Sequence, residues 1–281
     1  MDTDTTADTL VIRDSKPRWQ ALRRWVQRGA LALAVLAPLT FILAGLGARI
    51  GLWSWGFGLG TLTRELGPLL LFGAIVAGLL AVLLGLLVKP RRGLWTGVLA
   101  VLVGVIGFGR LASVQNTVAS LPFIHDVTTD TQDPPTFGAA IMAERGALEG
   151  VNTVDYAGKT APFTKPDGTR GEKLVSALQT QAYPEIRTLV VSEPPDIVFG
   201  RAEERARAMG WTIKETDPAS GRIDATDTTF WYGFKDDVTI RLRPAAGGGT
   251  RVDVRSVSRV GGSDIGANAK RISAFLDAMA G

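Results

Sequence analysis

The sequence predicts two unlike parts: three N-terminal transmembrane helices, then an α+β domain built on an antiparallel sheet with helices packed on one face. Three observations lead there. Three long stretches within the first 112 residues carry no charge. Nothing after them is long and apolar enough to cross a bilayer. From residue 186 onward, runs of period-two alternation are bracketed by helical periodicity, in the order β-α-β-β-β-β-α.

The uncharged stretches are Gly29 to Ala48 (20 residues), Leu66 to Val88 (23) and Gly93 to Gly109 (17). A helix needs roughly 20 apolar residues to cross about 30 Å of hydrocarbon. The third reaches that length if Arg110 snorkels and Leu111 and Ala112 extend it. A helix is the expected form because it satisfies its own backbone in lipid. Flanking charge gives the orientation. Arg13, Lys16, Arg18, Arg23, Arg24 and Arg28 precede the first span, and Lys89, Arg91 and Arg92 fill the second loop. The first loop carries only Arg49 and Arg64 as basic residues. Basic residues stay on the cytoplasmic side. The expectation is a multi-pass protein of the bacterial inner (cell) membrane, N-terminus cytoplasmic and C-terminal domain periplasmic. Trp53, Trp55 and Trp95 fall at span ends, where amphipathic rings prefer the headgroup level.

Trp19, Leu22, Trp25 and Val26 interleave with Arg18, Arg23 and Arg24 as a basic interfacial helix. A cleaved signal peptide is the competing reading of the first span. The long polar lead and the lack of a small-residue cleavage site speak against it. Gly47 and Gly51, Gly56 and Gly60, and Gly93 and Gly97 have small-xxx-small spacing, which permits close helix approach and is also common in any Gly-rich anchor. No uncharged stretch offers the internal acid or base that an ion path needs. The expected divisions are a cytoplasmic tail and interfacial helix (1–28), the anchor (29–112), a juxtamembrane linker (113–137) and the outer domain (138–281).

The chain's net charge of +4 divides unevenly: residues 1–112 carry +7 and residues 113–281 carry −3. The basic excess is a topology signal, so a nucleic-acid partner is not expected of the outer domain. With no cysteine and one histidine, no disulfide, thiol nucleophile, zinc, haem or iron–sulfur centre is expected, and neither a cofactor nor a metal is assigned.

Within the outer domain, Ser113 to Phe137 reads as extended, with Asp133-Pro134-Pro135 near its end. A helix is expected at Ala139 to Leu148, and residues 161–171 read as a turn-rich loop. Thr188 to Val191 is a short strand. Ser192-Glu193-Pro194-Pro195 opens a helix through Met209, stopped by Gly210. Its apolar stripe is Ile197, Val198, Ala202, Ala206 and Met209. Strands are expected around Trp211 to Glu215, Arg222 to Asp227, Asp237 to Arg243 and Arg251 to Arg259, with turns at 217–221 and 247–249. Ser263-Asp264 caps a last helix to Met279, with Ile265, Ile272, Phe275, Leu276 and Met279 apolar.

Several separated motifs resemble a known group. They are Phe234-Lys235-Asp236-Asp237-Val238, the run Val252 to Gly261, Ser263-Asp264-Ile265-Gly266-Ala267-Asn268, and upstream the run Ile124 to Asp130 and Ala182-Tyr183-Pro184. Together, and in this order over roughly residues 120–280, they look like the family catalogued as domain of unknown function 1499. The resemblance implies a domain found in bacteria and plastid-bearing eukaryotes, often behind membrane spans, with no established activity.

Candidate functional residues come from alternation. Asp237, Thr239, Arg241, Arg243, Arg251, Asp253 and Arg255 share one sheet face, and Val238, Ile240, Leu242, Val252 and Val254 the other. The charged face reads either as a solvated surface laced with ion pairs or as a docking surface. The strand-to-helix corner gathers Arg255, Ser256, Arg259, Ser263 and Asp264, with Asn268 one turn on. It reads as an anion site or as a structural Arg259–Asp264 lock. Phe230, Trp231, Tyr232 and Phe234, beside Lys235, read as packing, as the cover of a cavity, or as a membrane contact. His125, with Asp126, Asp130 and Asp133, lacks the glycine turn and late glutamate of a calcium loop. The expected function is a membrane-anchored module docking an envelope protein or membrane component through the charged face. The alternatives are a small-molecule or lipid binder with a cavity near Trp231, and a hydrolase-like enzyme at residues 255–264. The oligomeric state is left open.

Overall fold

The structure, a computed structural model, describes residues 16–165 and 167–280. The chain forms two compact units that divide between Val114 and Gln115.

The first unit is helical. Helix α1 runs from Pro17 to Arg49, with proline pre-setting its first turn. A π-helical segment, Phe57–Leu66, continues directly into α2, Gly67–Leu87, and α3 is Leu94–Ser120. All three are long and apolar enough to cross a membrane. Large side chains such as Leu69, Phe72, Leu83 and Ile106 point outward, while Ala30, Ala34, Ala74, Ala81 and Ala100 are buried. Small residues inside and large ones outside is the inverse of a soluble bundle and suits lipid. Close approach falls on Gly78 of α2 and Gly97 of α3: a Cβ on either would stand 2.6–2.7 Å from the other's carbonyl oxygen. Of the glycines paired by spacing, Gly47 lies under Trp53, whereas Gly51 and Gly60 have nothing near. At one end, Arg23 donates to Val88 O (2.9 Å) and to Pro90 O, and Gln27 to Arg92 O (2.7 Å). The basic start of α1 is thereby tied to the basic α2–α3 loop.

The second unit is α+β. Its strands are β1 (Asp126–Thr128), β2 (Thr160–Thr164), β3 (Arg170–Leu174), β4 (Leu189–Val191), β5 (Thr212–Asp217), β6 (Arg222–Thr228), β7 (Lys235–Pro244) and β8 (Thr250–Ser258). Its helices are α4 (Ala139–Gly146), α5 (Val175–Ala182), α6 (Pro195–Ala208) and α7 (Ala267–Ala280). The main sheet is antiparallel in the order β1-β8-β7-β6-β5. β4 shares the β8 edge with β1: Leu189 pairs Val252 and Asp126 pairs Val257. The expected run β-α-β-β-β-β-α is β4-α6-β5-β6-β7-β8-α7. α6 and α7 pack on one face, over Ile223, Val238, Ile240, Leu242, Val252 and Val254. Phe275 of α7 stacks on Trp211 with ring centroids 5.3 Å apart. Ile197, expected on the α6 stripe, is exposed.

The structure departs from the expectation in several places. α3 stays helical through Ser120, into the stretch from Ser113 that was expected to be extended, and α5 is an additional helix. Residues 161–171 are mostly a β2–β3 hairpin rather than a loop, although Pro162 sits inside it. Residues 126–128 are a sheet strand, and Gln179 of α5 closes its outer edge by accepting from Thr128 N (3.0 Å) and donating to Thr128 O (2.6 Å). α7 begins at Ala267, because Ile265 and Gly266 adopt positive φ (53° and 75°).

Candidate functional site

The charged sheet face is covered over most of its length, which leaves Arg243 and Arg251 each 39% exposed. Asp237, Thr239 and Asp253 are fully buried and Arg255 is 3% exposed. The covering is the segment from Thr129 to Tyr156, α4 included. A solvated or docking role for this face is therefore corrected: Pro135 O, Val154 O and Thr136 O accept from Arg255 and Thr239 where solvent or a partner was expected.

Three pairings organise the face. Asp237 accepts from Arg145 Nη1 of α4 (2.6 Å), from Arg259 (2.7 Å) and from Thr226 Oγ1 (2.9 Å), and Arg259 reaches on to Glu144 (2.8 Å). Asp253 accepts from Thr129, Thr188, Arg241 and Arg243 at 2.5–3.4 Å, and Asp130 and Asp133 complete the arginines' shells. Asp126 holds Arg255 bidentately (3.0 and 2.8 Å), with that guanidinium also over the rings of Phe137 and Tyr156. Charges this deep are tolerated only when paired and hydrogen-bonded.

α4 is seated by the same logic. It has no side-chain cap of its own. Asp224 Oδ2 accepts from Gly138 N (2.9 Å) and Glu215 Oε2 from Ala140 N (3.0 Å), so two sheet carboxylates serve its positive N-terminal end. Burial raises the Asp224 carboxyl, with partial offset from Thr239, Gly138 N and Arg222.

On the helix-covered face, Asn268 joins Ser256 Oγ (2.7 Å), Ser258 Oγ (3.0 Å) and His125 O (3.0 Å), and Arg271 joins Ser256, Asp236 and Asp227. Asp264 accepts from Gly266 N and Asn268 N and so caps α7, its carboxyl raised by burial. The expected Arg259–Asp264 lock does not form, because Arg259 turns to Asp237 beneath the opposite face. The corner's polar groups are engaged within the fold: Asn152 donates to Gly261 O (2.8 Å) and His125 to Gly262 O, while Asp264 N donates to Ile124 O (3.0 Å). Ser263 bonds only locally, to Ile265 N.

His125 and Lys159 meet as a pair that no spacing in the sequence signals. Burial, then the Lys159 cation, hold His125 below its ordinary pKa. Neutral His125 donates from Nδ1 to Gly262 O (3.2 Å) and accepts at Nε2 from Lys159 Nζ (3.0 Å). Lys159 spends its other protons on Thr153 O (3.2 Å) and Asp126 (3.5 Å), so it is no free nucleophile. Burial also lowers Lys159.

Trp231 is 47% exposed and stands edge-to-face with Phe230 (5.0 Å) on the β6–β7 loop, with Lys235 exposed at its base. It lines neither of the two grooves that run beside α7. The first, of about 470 Å³, is lined by Leu121, Tyr183, Ile265, Lys270, Ser273 and Asp277 among others. A second of about 270 Å³ continues it along Ile186, Leu189 and Leu276. The Tyr183 hydroxyl at the wall is buried and has no hydrogen-bond partner among the described residues, and its pKa is pushed up to about 12 by burial, then Asp264 and Glu185. Alternation in strands does not reveal a groove formed between a helix and a loop. The one available signal was Ala182-Tyr183-Pro184.

The twelve residues singled out from sequence therefore scatter. Arg241, Arg243 and Asp253 meet, Arg259 meets Asp237, and Arg255 meets Asp126. Ser256 and Asn268 lie across the sheet from these, with Ser263 and Asp264 at the start of α7 and Trp231 and Lys235 on a loop. Among the described residues no group of three His, Asp or Glu side chains is placed to hold a metal.

The fold and these surfaces define an α+β domain behind three helices long enough to span a membrane, with an apolar core beneath α6 and α7, buried ion pairs on the other sheet face and a groove on one flank. Residues 126–279 match the family described as "Protein of unknown function (DUF1499)", and the chain belongs to that family. No curated protein matches the sequence.

Proposed function

We propose that this is a membrane-anchored, non-catalytic docking module of a bacterial inner membrane, whose family domain works in the periplasm and receives an envelope protein along the α7 groove. The orientation rests on Arg23 and Gln27 binding the second loop, which gathers both basic clusters at one end of the anchor. The docking reading rests on one observation, the groove itself. Its lining is apolar at Leu121 and Ala269 and polar at Lys270, Ser273 and Asp277, and a buried phenol in its wall has no partner among the described residues. An apolar lining with a few placed polar groups is the usual make-up of a binding site. The buried carboxylates Asp126, Asp237 and Asp253 each hold arginines, which leaves no free acid/base pair on the sheet for a hydrolase.

The test is a photo-crosslinking residue at Ser273 of the full chain in cells, compared with one at exposed Ile197 on α6. A discrete adduct at 273 and none at 197 is expected. Equal labelling at both positions would contradict the assignment. The groove volume also suits a small ligand, since such pockets run from about 300 to 1,000 Å³. A co-purified small mass in native mass spectrometry, lost in Tyr183→Phe, would move the module to that class.

A further inference from the structure

The two ends of the main sheet differ in kind. At one end the turns are Asp217-Pro218-Ala219-Ser220-Gly221 and Ala245-Ala246-Gly247-Gly248-Gly249, with no large apolar side chain. At the other stand Phe123, Trp231 and Ile265, each 47–49% exposed, and Phe230, 64% exposed. Hydrogen bonds show that these share one end. Thr228 pairs Lys235 across the β6–β7 loop, Lys235 O accepts from Arg259 N, and Ile124 O accepts from Asp264 N. Phe123 packs where a Cβ on Gly262 would fall.

The apolar end is also held in shape. Thr229 Oγ1 donates to Trp231 O (2.7 Å) and accepts from Phe234 N (3.0 Å), while Tyr232 and Gly233 take positive φ (63° and 67°). Ile265 holds φ 53°, a conformation that a β-branched residue strongly disfavours, and yet its side chain is presented outward.

This is the end at which the chain enters the sheet, since β1 begins at Asp126 against Val257. α3 has 27 residues, about 40 Å at 1.5 Å per residue, which matches a bilayer with its headgroups. From Ser120 to Asp126 the chain can extend at most about 20 Å. We propose that Trp231, Phe123 and Ile265, with Lys235 beside them, rest in the headgroup layer of the bilayer that α3 crosses, so that the domain lies on the membrane by its apolar sheet end. Aromatic rings with a neighbouring lysine are the side chains that favour that layer.

The chain has no cysteine, so single labels are clean. The full chain is reconstituted in phosphatidylglycerol/phosphatidylcholine nanodiscs with a fluorescent thiol label at Lys235→Cys or, at the opposite end, Ala246→Cys. Replacing ordinary lipid by lipid brominated near the headgroup should quench the label at 235 several-fold more than the label at 246. Adding Trp231→Ala, or Ile265→Gly, which relieves backbone strain and so leaves the fold intact, should reduce quenching at 235 towards the level at 246. Equal quenching at the two positions overturns the proposal, as does quenching at 235 that is indifferent to both substitutions in chains with unchanged circular dichroism.

Discussion

Asp237 shows how one residue can look like a ligand site and act as a keystone. It is fully buried and neutralises Arg145 and Arg259, both about 5% exposed. Asp237→Ala should therefore cost about 3–5 kcal/mol, because it strands two cations. Thermal unfolding of the detergent-extracted chain would register it. Arg243, 39% exposed and sharing Asp253 with Arg241, is the contrast, and Arg243→Gln should cost under about 1 kcal/mol. His125 gives a pH dependence. Its folded pKa lies below its unfolded value, so its contribution is complete above about 6.5 and is lost as pH falls from there through the folded value. Lys159 and Arg145 oppose its protonation and Asp126 favours it. His125→Gln should flatten the wild-type loss of melting temperature as pH falls below about 6.5. A wild-type and variant with parallel pH profiles would contradict this. At this scale the face of each charged strand residue was legible, since alternation fixes direction. Burial stayed hidden, because the covering segment 129–156 is rich in Pro, Thr and Asp and has no period to reveal that it packs.

Among the elements, the regular ones were legible. β5 to β8, α6 and α7 carry clean periods and turn residues, and they lie within a few residues of where periodicity puts them. The β2–β3 hairpin and α5 were not, for local reasons. Pro162, Pro166, Gly168 and Gly171 imitate a loop, and β1 is only three residues long, so it exists by pairing with β8 rather than by propensity. α4 lies where the sequence predicts a helix, yet at eight residues it is too short to persist alone. Its stability comes from Asp224 and Glu215 at one end and Asp237 and Arg259 at the other. Gly138 is needed there, because a Cβ would stand 2.8 Å from both Arg222 Nη2 and Glu215 Oε2. Gly138→Ala should unseat α4, seen as faster amide hydrogen exchange over residues 139–146 while α7 stays protected. On the opposite face Ile272→Ala should cost about 2–5 kcal/mol, since that side chain is fully buried against the sheet.

For the whole molecule, the division was visible in the charge pattern: a basic, apolar first part and a mildly acidic second part behave as two compact units. The site was less legible than the fold. The sequence pointed to charged residues, and the structure spends them on holding the 129–156 segment to the sheet, leaving a groove and an apolar sheet end as the open surfaces. What these surfaces meet depends on which side of the membrane the domain occupies. The most direct test is labelling single cysteines with a membrane-impermeant maleimide in cells whose outer membrane alone has been permeabilised. Ala246→Cys in the domain should label, and Arg91→Cys in the second loop should label only after lysis. The reverse pattern, with 91 open and 246 closed, would contradict the account.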